Sequence, residues 1–298
     1  LDPTSTPSAA RLETEVVAMV LSNLRAGAAA TGSFTSGGTE SILLAVKAAR
    51  DRGRRIRPNL VMPVTAHAAF RKAGHYLGVE VVEVDVDPTT LRADVEAMKE
   101  AITENTILLV GSAPCWPYGL VDPIPDLGRA ALERDLPLHV DGCVGGFLLP
   151  YFRRLGSAFP EFDFGVPGVT SISVDLHKFG FVPKGASLLL HRDPELLRHQ
   201  LYACVDWPGY AIVNGTVQGS RSVGPIAAAW AVLRFVGDDG YLDLARRIRD
   251  GVHRLVSGVS EIPELTVLGR PDFALVAVAS REAGIFHVAD EMKARGWE

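Results

Sequence analysis

Ser171-Ile172-Ser173-Val174-Asp175-Leu176-His177-Lys178 carries an apolar run, residues 170–175, into an acid and then a lysine, and a second apolar run follows at 186–191. Runs this short, rich in branched residues and bounded by polar ones, read as buried strands. Upstream the same kind of run recurs at 60–64, 79–86, 107–111 and 138–141. Between most of them lie amphipathic stretches of helical length, 39–52, 66–77, 93–102 and 126–134. Strand and helix in alternation require crossover connections, so the expected fold is α/β, a mostly parallel sheet with helices on both faces. Residues just past the strand ends of such a sheet face a ligand crevice, and Asp141 and Lys178 both fall there.

Outward from this centre the pattern changes. Residues 10–25 place Leu12, Val16, Val17, Val20 and Leu24 close to one helical stripe that ends at Gly27, which predicts an N-terminal helical arm over residues 1–30. Residues 31–240 form the large domain. After His191 comes a turn-rich segment through 207–225, then an Ala-rich helix at 226–236 and another at 241–256. Strand, strand and helix at 265–268, 274–279 and 286–295 open a small C-terminal α/β domain over 241–298. It stops at Glu298 without a further strand and the chain opens on Leu1, so a longer protein is expected, with the small domain incomplete here.

The 298 residues are 47% hydrophobic and 22% charged, the balance of a soluble globular protein with a substantial core. A formal net charge of -5 gives no electrostatic reason to expect nucleic acid, and the arginines of 50–57 read as a solvated helix end. Cys115, Cys143 and Cys204 are widely spaced, without the paired spacing that holds zinc, and read as reduced thiols of a cytoplasmic protein. No stretch approaches the ~20 apolar residues of a membrane span, and the first residues lack a signal-peptide pattern. Membrane anchoring by a segment ahead of Leu1 stays open.

Four groups could carry chemistry. Thr35-Ser36-Gly37-Gly38-Thr39-Glu40-Ser41 opens a helical stretch, and its glycines and free N–H groups can cradle a phosphate. The same residues also suit an ordinary capped helix start, with Ser36 or Thr39 as the cap. His139-Val140-Asp141-Gly142 puts a carboxylate at a strand end, where it can pair with a protonated ring nitrogen or simply cap a turn. Lys178 at the rim of the same crevice can become a nucleophile if desolvation or a nearby cation lowers its pKa. His67, in Thr65-Ala66-His67-Ala68-Ala69-Phe70, could lie flat on a planar cofactor or be structural. Their combination and order match what pyridoxal phosphate needs.

The order of TSGGTES at residues 35–41, AHAAF at 66–70, HVDGCVGGFLLP at 139–150, SISVDLHKFGFVPKG at 171–185 and GSR at 219–221 resembles the sphingosine-1-phosphate lyases of the group II pyridoxal-phosphate decarboxylase superfamily. The resemblance runs from about Pro7 to Glu298. It implies a type I aminotransferase-like fold with a seven-stranded sheet, and a homodimer with shared active sites. It implies that pyridoxal 5'-phosphate is held by Lys178 as a Schiff base. Gly37, Gly38, Thr39 and His177 would contact its phosphate, helped by Gly219 and Ser220 of the other subunit. Asp141 would pair with the ring nitrogen and His67 would stack on the ring. Lys184 would be a second functional lysine, near the substrate phosphate or on the proton path, and Tyr210 a candidate for the substrate pocket. The implied reaction is retro-aldol cleavage of a phosphorylated sphingoid base to phosphoethanolamine and a long-chain aldehyde. An amino-acid decarboxylase of the same superfamily is the alternative, and a non-catalytic homologue that keeps the fold is another.

Overall fold

The computed structural model describes residues 6–282 and 284–297, so the first five residues of the expected arm and residues 283 and 298 of the expected small domain lie outside it. The chain opens with α1 (Pro7–Asn23), β1 (Thr31–Thr35), α2 (Gly38–Gly53), β2 (Asn59–Pro63), α3 (Ala69–Leu77), β3 (Glu80–Val84) and α4 (Val95–Glu100). It continues through β4 (Thr106–Ser112), α5 (Ile124–Glu133), β5 (Leu138–Asp141), α6 (Leu149–Arg154), β6 (Val169–Asp175) and β7 (Ser187–His191). Then follow α7 (Pro194–Gln200), the small hairpin β8 (Tyr202–Cys204) and β9 (Ile212–Asn214), and α8 (Gly224–Ser260). The last elements are β10 (Leu265–Leu268), β11 (Ala277–Ser280) and α9 (Ile285–Ala294).

Seven strands form one sheet in the order β1-β7-β6-β5-β4-β2-β3. β6, β5, β4, β2 and β3 run parallel, and only β7 opposes its neighbours, pairing antiparallel with β6 and β1. The expected mostly parallel α/β sheet is therefore what forms. Pleating sorts the apolar residues between its faces: Leu60 and Met62 of β2 pack with Ile42, Val46 and Phe70 from α2 and α3, while Val61 joins Leu109, Val16, Val20, Ile124 and Leu127 on the other side.

Several expected boundaries shift for local reasons. The sequence predicts helix from residue 66, but α3 starts at Ala69 because His67 Nδ1 takes the Ala69 N–H at 3.1 Å, which ties His67 into the turn before the helix. The expected break between the helices at 226–236 and 241–256 is real: Gly237 sits at φ 63°, ψ 179°, a conformation open to glycine, inside α8. β1, α6, α7 and the β8–β9 hairpin have no counterpart among the expected elements; the last three are short, and β1 carries a single large apolar residue, Phe34. α1 buries Val16, Val17, Val20 and Leu21 in the main core. Among the described residues no helix is long and apolar enough to cross a membrane.

Candidate active site

The carboxyl ends of β1, β2, β5 and β6 converge on a cleft of about 460 Å³, lined among others by Gly37, Gly38, Thr39, His67, Asp141, His177, Lys178 and Lys184. Parallel strands put these residues together because each crosses the sheet in the same sense and ends on the same edge. Eight of the eleven positions singled out in the sequence thus share one cleft. Gly219 and Ser220 do not line it and are exposed; the adjoining Arg221 is bound to Glu13 at 2.9 Å and to the Phe34 carbonyl, which pins this segment beside the end of β1. Tyr210 is also exposed, with its ring edge-on to Trp207 at 5.0 Å, away from the cleft of its own chain.

At the start of α2 the first intrahelical bond runs from the Ser41 N–H to the Gly37 carbonyl, so the N–H groups of Gly38, Thr39 and Glu40 precede it, and no side chain caps them. The capped-start alternative is not what forms. Ser36 instead gives both its N–H and its hydroxyl to Glu40 Oε2 at 2.7 Å, while Glu40 Oε1 accepts the Val217 N–H. The helix start is left to an outside anion. Gly38 has no room for a side chain: a Cβ there would lie 2.7 Å from Cys143 Sγ and 2.9 and 3.0 Å from the Asp175 carboxylate oxygens.

Asp141 closes β5 opposite Ser173 of β6. Its Oδ1 accepts the Cys143 N–H at 3.0 Å and the Ser173 hydroxyl at 3.2 Å, so both protein hydrogen bonds fall on one oxygen and Oδ2 is left for a ligand. Ser173 in turn bonds His139 Nε2, whose Nδ1 meets Ser171 at 2.9 Å. Burial pushes the His139 pKa down to about 4, against the pull of Asp141, so the ring is neutral at pH 7. Burial pushes the Cys143 thiol well up, helped by Asp141 and Asp175, and it stays protonated.

Lys178 lies three residues past the strand end, and its Nζ pairs with Asp175 Oδ2 at 3.0 Å. Burial pulls its pKa down, and the Asp175 charge and hydrogen bond, together with the neighbouring Cys143 and Asp141, more than restore it, so the net direction is upward. That reverses the depressed pKa that strand-end desolvation suggests from sequence. His177 Nδ1 meets the Ala186 carbonyl at 2.8 Å, and its Nε2 stands 3.5 Å from Asp175 Oδ2. Lys184 is exposed at the rim. His67 is exposed too; with Nδ1 accepting from Ala69, a neutral ring carries its proton on Nε2.

Sequence reasoning missed Asp175, Cys143, Ser173 and His139. Asp175 carried the signal used for Asp141, an acid ending an apolar strand. Cys143 and His139 carried none, because their roles come from neighbours on β6.

A lysine within a buried carboxylate's reach, a second strand-end carboxylate with a free oxygen and an uncapped helix start, gathered at the switch point of a doubly wound sheet, define the site of a type I-fold pyridoxal-phosphate protein. Residues 1–280 match the model of the pyridoxal-dependent decarboxylase conserved domain, and the chain belongs to that family. It is 45% identical to a sphingosine-1-phosphate lyase of Arabidopsis thaliana across 97% of this chain and 55% of that protein. It is 35% identical to a probable L-tyrosine/L-aspartate decarboxylase of Methanothermobacter thermautotrophicus across 96% of this chain and 77% of that protein. A solved sphingosine-1-phosphate lyase of Burkholderia pseudomallei superposes with a TM-score of 0.97 at 44% identity, covering all of this chain and 70% of that one. The chain thus spans about half the length of several curated lyases it matches. Pyridoxal 5'-phosphate is the cofactor, and the site fits it: the free N–H groups beside Gly38 suit its phosphate, and the open oxygen of Asp141 suits its ring nitrogen.

Proposed function

We propose that this protein cleaves the C2–C3 bond of a phosphorylated sphingoid base, sphingosine 1-phosphate or a close analogue, to phosphoethanolamine and a long-chain aldehyde. The observation that carries this reading is likeness to several sphingosine-1-phosphate lyases at 43–45% identity along nearly the whole chain. When bound, pyridoxal phosphate supplies an electron sink for the pair left by the broken bond.

The chain's own groups divide the remaining work. The N–H groups of Gly38 and Thr39, with Gly37 and His177, hold the cofactor phosphate. Asp141 holds the proton on the ring nitrogen, and its fixed rotamer, set by Ser173 and the Cys143 N–H, keeps that charge aligned. His67 covers the ring face. Lys178 Nζ holds the cofactor and carries the proton that replaces the lost carbon. Lys184 at the rim meets the substrate phosphate or takes the C3 hydroxyl proton.

Gly219, Ser220 and Tyr210 reach the site from a second copy of the chain. That assignment is supported by their exposure here and by exposed Val205, Val213 and Val217 on the same segment, an apolar face suited to an interface. Residues 31–240 act as the cofactor domain and 241–298 begin the small one.

A second reading, amino-acid decarboxylase, draws on the Methanothermobacter relative. Incubation with sphingosine 1-phosphate and, separately, with tyrosine and aspartate tests both. Aldehyde from the lipid is expected. Carbon dioxide without aldehyde would overturn the lyase reading and favour the second.

A further inference from the structure

Among the described residues three carboxylates line the cleft. Glu40 spends both oxygens on Ser36 and Val217, and Asp141 takes the Cys143 N–H and the Ser173 hydroxyl on Oδ1 and keeps Oδ2 for the cofactor's ring nitrogen. Asp175 differs. Its side chain is 3% exposed, Oδ2 faces Lys178 Nζ at 3.0 Å, and Oδ1 is buried with no hydrogen-bond partner among the described residues. An ionised oxygen buried without a partner is costly, so its retention at the cleft floor calls for a role beyond packing. The carboxylate also touches the point where a Cβ of Gly38 would sit, which places it directly beneath the helix start that receives the phosphate.

We propose that Asp175 is a positioning residue that fixes Lys178 Nζ at the cleft floor and stores it as an ammonium until the cofactor arrives. The assignment rests on Lys178 being the lysine that holds pyridoxal phosphate. The groups around Nζ leave Asp175 as its controlling partner. β5 and the loop after it bring Asp141 and the protonated thiol of Cys143; α2 brings Glu40, the turn before α3 His67, and the loop before β7 Lys184, while His177 shares the lysine's own turn. Of these only Asp175 makes an ion pair with Lys178. A carboxylate at this distance holds the lysine against desolvation and aims its nitrogen; it also keeps the nitrogen unreactive, since an ammonium has no lone pair with which to add to an aldehyde. Capture of the cofactor then requires a proton to leave Nζ, so it is slow at neutral pH and quickens as pH rises.

The test uses the full chain freed of cofactor, labelled with acetic anhydride from pH 6 to 11, with acetylation at Lys178 and at Lys184 read by mass spectrometry. Labelling does not involve the cofactor, so it stands apart from a separate absorbance titration with pyridoxal phosphate that tests the cofactor reading. In the native protein the Lys178 midpoint is expected above that of Lys184. Asp175→Asn should lower the Lys178 midpoint by about one unit or more, roughly a tenfold gain in labelling at pH 8, and leave Lys184 unchanged. A Lys178 profile unaltered by Asp175→Asn, or an equal shift at both lysines, overturns the proposal. If the variant loses its cooperative melt, the native profile decides: a Lys178 midpoint at or below that of Lys184 overturns it.

Discussion

Substituting alanine for Gly38 tests the proposed phosphate cradle at its tightest point. The added Cβ would meet Cys143 Sγ at 2.7 Å and the two Asp175 oxygens at 2.9 and 3.0 Å, all inside normal contact distance. None of the three can retreat freely: Cys143 is held through its N–H to Asp141 and its thiol to Ser173, and Asp175 is tied to Lys178. Overpacking a site this closed costs about 1–3 kcal/mol. If the strain is relieved by moving the helix start, it falls on cofactor affinity, a loss of roughly 5- to 150-fold at 1.4 kcal/mol per tenfold. If it is absorbed by the fold, it appears as lowered stability. Titrating the visible absorbance of bound pyridoxal phosphate and a urea melt on the same sample capture both. Adding Cys143→Ala to the Gly38→Ala background removes the shortest contact but not the two to Asp175, so partial recovery is expected. A Gly38→Ala protein that binds cofactor and melts as the parent does would refute the close approach.

Asp141→Asn removes the charge proposed to face the cofactor's ring nitrogen. Hydrogen bonds to charged groups contribute about 1.5–3 kcal/mol, so turnover should fall at least tenfold, and a change below twofold would contradict the assignment. His139 is fully buried with its pKa depressed to about 4, so its contribution to stability is present above pH 6.5 and lost as pH falls toward 4. His139→Gln should therefore gain on the parent across that window, by up to about 3 kcal/mol in urea melts at pH 7 and pH 4.5, and a pH-independent difference would contradict it. Asp163, fully buried, pairs with Arg25 at 2.7 Å and Arg153 at 2.9 Å and accepts the Gly165 N–H. Asp163→Asn should cost about 2–4 kcal/mol, below the cost for a wholly buried pair because both arginines reach solvent. A melt within 0.5 kcal/mol of the parent, inside the usual range for surface substitutions, would show the pair to be superficial.

How much of this was legible beforehand follows from what each signal measures. Hydrophobic runs report burial along one strand, and β5 and β6 were found nearly to the residue because their run ends coincide with polar groups at the cleft. β1 escaped notice because it is short and carries one large apolar residue, although it ends at the cradle. Asp141 and Lys178 stood out as polar groups closing apolar strands. The pairing of Lys178 with Asp175 did not, since an i, i+3 spacing across a strand end and a turn has no fixed geometry until the turn is formed. The reversed direction of the Lys178 pKa has the same origin: burial could be anticipated from the strand, the counter-charge could not. Cys143, His139 and Ser173 meet only because β5 and β6 pair in register, Asp141 opposite Ser173, and register is a property of two strands at once.

The central claim is that Lys178 is the group that holds the cofactor. Incubating the protein with pyridoxal phosphate, reducing with borohydride and mapping the modified peptide by mass spectrometry measures this directly. The pyridoxyl group is expected on Lys178, with Lys184 unmodified. A pyridoxyl group on Lys184, or none on either lysine while the visible band is present, would contradict the account.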